Sequence, residues 1–260
     1  MLEQDERRDE LLEKIEDLIS RKRYAELRDL LLPLEAQDIA GLFMELDDKV
    51  PMVFRLLPKE QAAEVFVELD SEEQEILIQS FSNTELKEVL DELYLDDAVD
   101  IVEEMPANVV KRILRHADPE VRKSINEILK YPDDCAGSIM TTEYVDLKAT
   151  MTVEDALKRI RRTGPDKETI NICYVIDEGR HLLGYLSIRT ILLSEEDDVI
   201  GDIMDTHVIS ANTLDDQEDV AQILNKYDFL ALPIVDTENR LVGIVTVDDA
   251  MDVLQEEATE

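Results

Sequence analysis

Two words in this chain are nearly the same. GSIMTTEYVDL begins at Gly137, and GDIMDTHVISA begins at Gly201, 64 residues later. The echo continues: TVEDAL (Thr152 to Leu157) aligns with DQEDVA (Asp216 to Ala221) at the same offset. YVIDEGRHLLGYLS (Tyr174 to Ser187) aligns with PIVDTENRLVGIVT (Pro233 to Thr246) at an offset of 59. The first copy therefore carries about five extra residues near RRTGPDKET. An internal repeat of this kind constrains a fold more than any local propensity does. Each copy reads as a short strand, an amphipathic helix, two β-rich runs split by a polar turn, and a closing helix. Runs such as ICYVI and LALPIV are too short and too β-rich for helices.

A second period lies upstream. The segments starting at Leu32, Leu57, Phe81 and Met105 place Pro33, Pro58, Ser82 and Pro106 at spacings of 25, 24 and 24. Proline is accepted in a first helical turn, where its missing N–H is no loss. Ser82 with Glu85, and Ser71 with Gln74, read as capping boxes. Further helices, SEEQEILIQSF, LDDAVDIVEEM and DPEVRKSINEIL, fall between them. Residues 1–130 are thus expected to be short helices stacked in series, with Ala62, Val65, Phe66 and Leu69 as core. KYPDDCAG (Lys130 to Gly137) reads as a linker, with Pro132 stopping the last helix.

Composition closes off several functions. With 63 acidic and 27 basic residues the net charge is −36, which excludes a nucleic-acid binder and argues against docking on anionic lipid. Such a surface repels itself unless cations or basic partners neutralise it. Cys135, Cys173, His116, His181 and His207 have no zinc-like spacing, and reduced thiols are expected. The charged start is no secretory signal, and no apolar run reaches 18 residues. QEEATE ends in strong helix formers without a stop signal, as expected of a chain cut from something longer or of a helix that simply frays there. No nucleophile elbow, phosphate loop or histidine pair supports an enzyme.

The Gly-hydrophobic-hydrophobic-Ser/Thr words GYLSIRT and GIVTVDD resemble those of a tandem cystathionine-β-synthase (CBS) pair. Joined to the acidic helical repeat with AAEVFVEL and DDAVDIV, and to YPDDCAGSIMTTEYV and YDFLALPIVD, they resemble the cytosolic part of an MgtE-type magnesium transporter. The resemblance covers nearly the whole chain. It implies a multidomain fold, an all-α helical-repeat superhelix followed by a tandem α/β CBS pair. The expected domains are 1–130, 137–200, and 201–257 with the start of a connecting helix. It implies a non-enzymatic homodimer, paired through its CBS modules, at the cytoplasmic face of the membrane beside a pore domain.

The same resemblance implies Mg2+ as the regulating ion. Its ligand positions fall on Glu64, Asp96 and Asp100 of the helical domain, the Gly137 carbonyl, and Asp249. Glu218, Asp228 and the Asn225 carbonyl match the surface facing the connecting helix, and Glu257 and Glu260 match acids near its start. Magnesium takes hard oxygen ligands, keeps several waters and needs only one or two carboxylates, so it suits a seam between acidic domains. Two carboxylates about 5 Å apart repel by roughly 3 kcal/mol at an effective dielectric near 20, so a few pairs can outweigh a modest interface. High magnesium would close the seam over the pore, and low magnesium would open it. Asp249 also follows Thr246 by three, the spacing with which nucleotide-binding CBS modules hold a ribose; the first copy has Thr190 there, after Ser187. An adenine-nucleotide sensor or scaffold, with ATP as ligand, is the competing class.

Overall fold

The computed structural model describes residues 2–259, with side chains from 8 to 255; the side chains of Glu257 and Glu260 lie outside the described residues. The chain forms two compact units. The first holds the residues up to Leu93 together with Asp97–Arg122; the second holds Tyr94–Asp96 together with the chain from Lys123 on.

In the first unit the periodic segments become α3 (Ala36–Phe43), α5 (Lys59–Val67), α7 (Asn83–Leu90) and α9 (Ala107–His116), after α1 (Leu2–Ser20) and α2 (Tyr24–Leu31). Each periodic helix packs on the next, α3 on α5, α5 on α7 and α7 on α9, so the 24–25-residue spacing is the stacking step. A second row, α4 (Val50–Phe54), α6 (Ser71–Ser80) and α8 (Leu95–Glu104), alternates with them. Ala62, Val65, Phe66 and Leu69 are buried, and the rings of Phe54, Phe66 and Phe81 meet at 5.4–6.3 Å.

Three local expectations need adjustment. Pro58 and Pro106 are the N-cap residues themselves, while Pro33 lies two residues before the cap at Glu35. The Ser82–Glu85 capping box is present, but α6 is capped one residue earlier than expected, by Asp70 accepting the Glu73 N–H at 3.0 Å. Ser71 instead bonds Glu104, and the Gln74 amide donates to the Phe66 carbonyl at 3.0 Å. Asp outcompetes Ser because an ionised acceptor bonds the orphan N–H more strongly. Finally, α10 (Pro119–Ile128) stops four residues before Pro132, and Cys135 to Met140, partly assigned above to a linker, is mostly buried.

The second unit explains that burial. Two three-stranded sheets form, with matching topology. β1 (Val145–Leu147) runs parallel to β2 (Ile172–Ile176), which runs antiparallel to β3 (Leu182–Ser187). β4 (Ala211–Asn212), β5 (Ala231–Val235) and β6 (Leu241–Thr246) repeat the arrangement, with the bulge at the corresponding step. The helices α11 (Val153–Thr163) and α14 (Gln217–Tyr227) follow the first strands; α12 (Ile188–Leu193) and α15 (Val247–Thr259) follow the last, and α13 (Ile200–Ile203) joins the copies.

The two copies exchange their opening segments. Thr141 pairs with Ile244 of the other copy, and its counterpart Asp205 pairs with Tyr185. Gly137 N–H donates to the Thr213 carbonyl at 2.8 Å, and Gly201 N–H to the Ala149 carbonyl at 2.9 Å. His181 and Arg240, which correspond under the 59-residue offset, pair with each other. These reciprocal contacts define a pseudo-two-fold axis beside that pair. They also explain the repeated word. Met140 lies over Gly243, where an added Cβ would be 2.6 Å from the sulfur, and Met204 lies over Gly184 at 2.8 Å. Ala136 and Met140 accordingly belong to the core of the second copy, with Leu224, Ile234 and Val245.

Candidate functional site

Asp249 is the most perturbed acid in the second unit. Near the start of α15, one of its carboxylate oxygens accepts the Thr246 hydroxyl at 2.6 Å and the Thr246 N–H at 3.4 Å. Burial pushes its carboxyl up to about 7, with Asp96 and then Asp248 adding to the rise while the Thr246 bonds oppose it. Asp252 is raised too, by burial and by Asp248. Asp96 is itself buried, and belongs to the Tyr94–Asp96 segment that clusters with this unit. Like charges crowded out of water disfavour one another's ionised form. A bound divalent cation would reverse that penalty, and the all-oxygen donor set suits a hard ion. Among the described residues no group of three His, Cys, Asp or Glu side chains is placed to hold a metal by itself. Magnesium, which binds through one or two carboxylates and water, does not require such a group.

The other expected ligands fall as follows. Glu64 is exposed on α5, and Asp100 is exposed one turn after Asp96 on the continuous helix α8. Gly137 is buried; an added Cβ would meet the Tyr131 ring at 2.6 Å, so close packing alone demands glycine there. Glu218 is half-buried in the first turn of α14, Asn225 is exposed in its last turn, and Asp228 caps its end with a left-handed φ of 53°.

A cleft of about 240 Å3 lies in the same unit, lined by Ile172, Tyr174, Tyr185, Val208, Phe229 and Pro233 among others. Its walls are apolar and aromatic, and His207 and Asp228 stand at its edge. The Tyr174 hydroxyl is buried with no hydrogen-bond partner among the described residues, and burial pushes its pKa up. An orphaned buried hydroxyl costs free energy that a ligand can recover. Thr246 and Asp249, the expected ribose pair, bond each other and are not among the lining residues. Sequence reading named Asp228, as an ion ligand, and missed the apolar and aromatic lining residues. The alternation of aromatic Tyr174 and Tyr185 on facing strands was the available signal, but core packing produces the same pattern.

Comparison with known proteins gives the context. Residues 34–134 match the MgtE intracellular N domain, and residues 136–196 and 200–256 each match the CBS domain. The solved cytosolic domain of the Mg2+ channel MgtE in complex with ATP superposes with a TM-score of 0.88 at 38% identity, covering 93% of this chain and 99% of that one. The chain belongs to the MgtE family. The magnesium transporter MgtE of Thermus thermophilus is 40% identical over 239 residues, 90% of this chain and 53% of the transporter. That of Bacillus subtilis is 34% identical over 253 residues, 97% of this chain and 56% of the transporter. The chain thus spans about half the length of the curated MgtE relatives it matches. No described helix is long and apolar enough to cross a membrane.

Proposed function

We propose that this chain is the Mg2+-sensing cytosolic portion of a magnesium transporter or channel, which closes the pore when the ion bridges acids of the helical and CBS units. The observation that carries the reading is the crowding of Asp249 by Asp96 and Asp248, which leaves a carboxylate costly to ionise without a cation. Glu64, Asp96, Asp100, Asp249 and the Gly137 carbonyl are the proposed ligands of that bridge. Glu218, Asp228 and the Asn225 carbonyl, with Glu257 and Glu260, would serve the connecting helix. The ion then biases a two-state element, because it binds the closed state and the acids repel in the open one. A membrane pore segment of the same protein is the proposed partner, at the cytoplasmic face.

The chain is also proposed to pair as a homodimer through its CBS modules. Of the apolar helix-face residues that the sequence offers for that surface, Ala156, Ile160, Val220 and Leu224 are buried inside their modules, and Leu157 and Ile223 are partly buried against the same cores. Leu192, Leu193 and Met251, exposed on the closing helices, are among the apolar residues that could supply it. A strictly monomeric mass by light scattering at high protein and Mg2+ concentration would count against pairing.

Small-angle scattering tests the gate. With millimolar Mg2+ the radius of gyration should fall, and with sodium at equal ionic strength it should not, because screening supplies no bridge. Equal radii in the two salts would remove the mechanism. A second reading, adenine-nucleotide binding, is favoured by the apolar cleft with its orphaned Tyr174 hydroxyl and by the ATP complex of the related cytosolic domain. Calorimetry with ATP and with Mg2+ separates the two.

A further inference from the structure

The pseudo-two-fold axis relates the open cleft to a second position in the same unit, and Ile172, Tyr174, Ala231 and Pro233, which all line the open cleft, lie near the axis. Ile172, Tyr174 and Tyr185 correspond to Ala231, Pro233 and Ile244 under the 59-residue offset. Val208, in the segment with the 64-residue offset, corresponds to Tyr144. At this second position the Tyr144 side chain is buried, in one apolar cluster with Ala231 and Ile244. Its ring meets that of Tyr174 edge-on, with centroids 6.2 Å apart. The phenol is also satisfied. Arg180 donates to the Tyr144 hydroxyl oxygen at 2.8 Å and to the Leu241 carbonyl at 2.9 Å, and the hydroxyl donates to the same carbonyl at 3.3 Å.

The scaffold around the open cleft differs in two side chains. Asn239, the counterpart of Arg180, has the same left-handed backbone, φ 61° against 68°. Its amide donates to the Leu182 carbonyl at 3.4 Å, the counterpart of Leu241. It is too short to reach further, and Val208 offers neither ring nor hydroxyl. So one side holds a ring with its polar tip satisfied. The other holds a void and the unsatisfied Tyr174 hydroxyl.

We propose that Tyr144, locked by Arg180, is a built-in occupant of the second cleft, and limits each chain to one planar ligand, held between Tyr174, Val208 and Phe229. The ring takes the place that an aromatic base takes in the open cleft. Its hydroxyl bonds remove the desolvation cost that would otherwise favour exchange for an outside ligand. The proposal rests on the second reading above, that the open cleft takes an adenine nucleoside.

Calorimetry with adenosine on the whole chain tests it. Wild type and Tyr144→Phe should bind one adenosine per chain, and Tyr144→Val should bind two. The double variant Val208→Tyr with Asn239→Arg should lose at least tenfold in affinity. A folded Tyr144→Val that still binds one, with its new space closed in a crystal structure, overturns the proposal. If wild type binds none and Tyr144→Val binds one, the nucleoside reading of the open cleft fails and the built-in occupant stands. If neither binds adenosine, crystals of Tyr144→Val soaked with indole decide: indole at the vacated position supports the proposal, and a collapsed site overturns it. Should Tyr144→Val fail to fold, the crystal structure of the double variant decides, and a cleft still open at Val208→Tyr overturns it.

Discussion

Glu85 performs two tasks with one carboxylate. It returns the bond of the Ser82 cap, and it pairs with the Arg55 Nε at 2.7 Å. Arg55 in turn donates to the Ser80 carbonyl at 2.9 Å, joining the end of α6 to the start of α7. The Arg55 bond first, and the cap bonds next, hold the Glu85 carboxyl down to about 2, from an ordinary 4.5. A folded-state pKa below the unfolded one contributes stability above the unfolded value and loses it as pH falls through the folded one. Between pH 4.5 and about 2, then, wild type should lose stability that Glu85→Gln does not have to lose. Near neutral pH Glu85→Gln should cost about 1 kcal/mol, the upper end for a partly exposed pair. Urea midpoints of both proteins across that range check this; parallel pH profiles would show that the pairing adds nothing. Ser82→Ala should cost about 1 kcal/mol near neutral pH. The Ser82–Glu85 cap was legible because its partners lie three residues apart. Arg55 was not, since its role depends on a contact 30 residues away.

At the scale of elements, the linear repeat was visible and its exchange was not. Offsets of 64 and 59 carried through to the strand registers, because one-face burial fixes register strongly. That Met140 covers the strand of the other copy cannot be read from offsets, since a copy packing on itself would have the same sequence pattern. Gly243 and Gly41 make the exchange testable. An added methyl at Gly243 would lie 2.6 Å from the Met140 sulfur and 2.8 Å from the Thr141 carbonyl, while at Gly41, inside α3, it meets nothing within 4 Å among the described residues. Gly243→Ala should therefore destabilise by about 1–3 kcal/mol through overpacking. Gly41→Ala should be neutral or stabilise by up to about 1 kcal/mol through helix propensity. Met140→Ala should cost about 2–5 kcal/mol, because it opens a cavity in the second copy. Denaturant unfolding orders the three. A Gly243→Ala variant as stable as Gly41→Ala would contradict the exchanged packing.

At the scale of the whole molecule, a charge of −36 makes cations part of the energetics, and Asp249 is where that is most local. The acid was legible through family resemblance, but its crowding was not, because Asp96 is remote in sequence and any of 63 acids could be paired on paper. Replacing Asp249 with Asn removes charge at nearly constant volume. The side-chain carbonyl can still accept the Thr246 hydroxyl, so the turn into α15 is kept. Without divalent cation the variant should be the more stable protein, since Asp96 and Asp248 lose a like-charged neighbour. With Mg2+ the order should narrow or invert. A site filled at a hundred times its Kd adds about 2.7 kcal/mol, which in a chain of this size moves Tm by several degrees. Wild type should show that increment, and Asp249→Asn should lose most of it. Glu178→Gln removes an exposed acid elsewhere in the unit and controls for net charge. Melting curves of the three proteins in chelator, in Mg2+ and in matched sodium separate the effects. If Asp249→Asn and wild type gain equally from Mg2+, the ion stabilises the chain by general screening, and Asp249 has no part in sensing it.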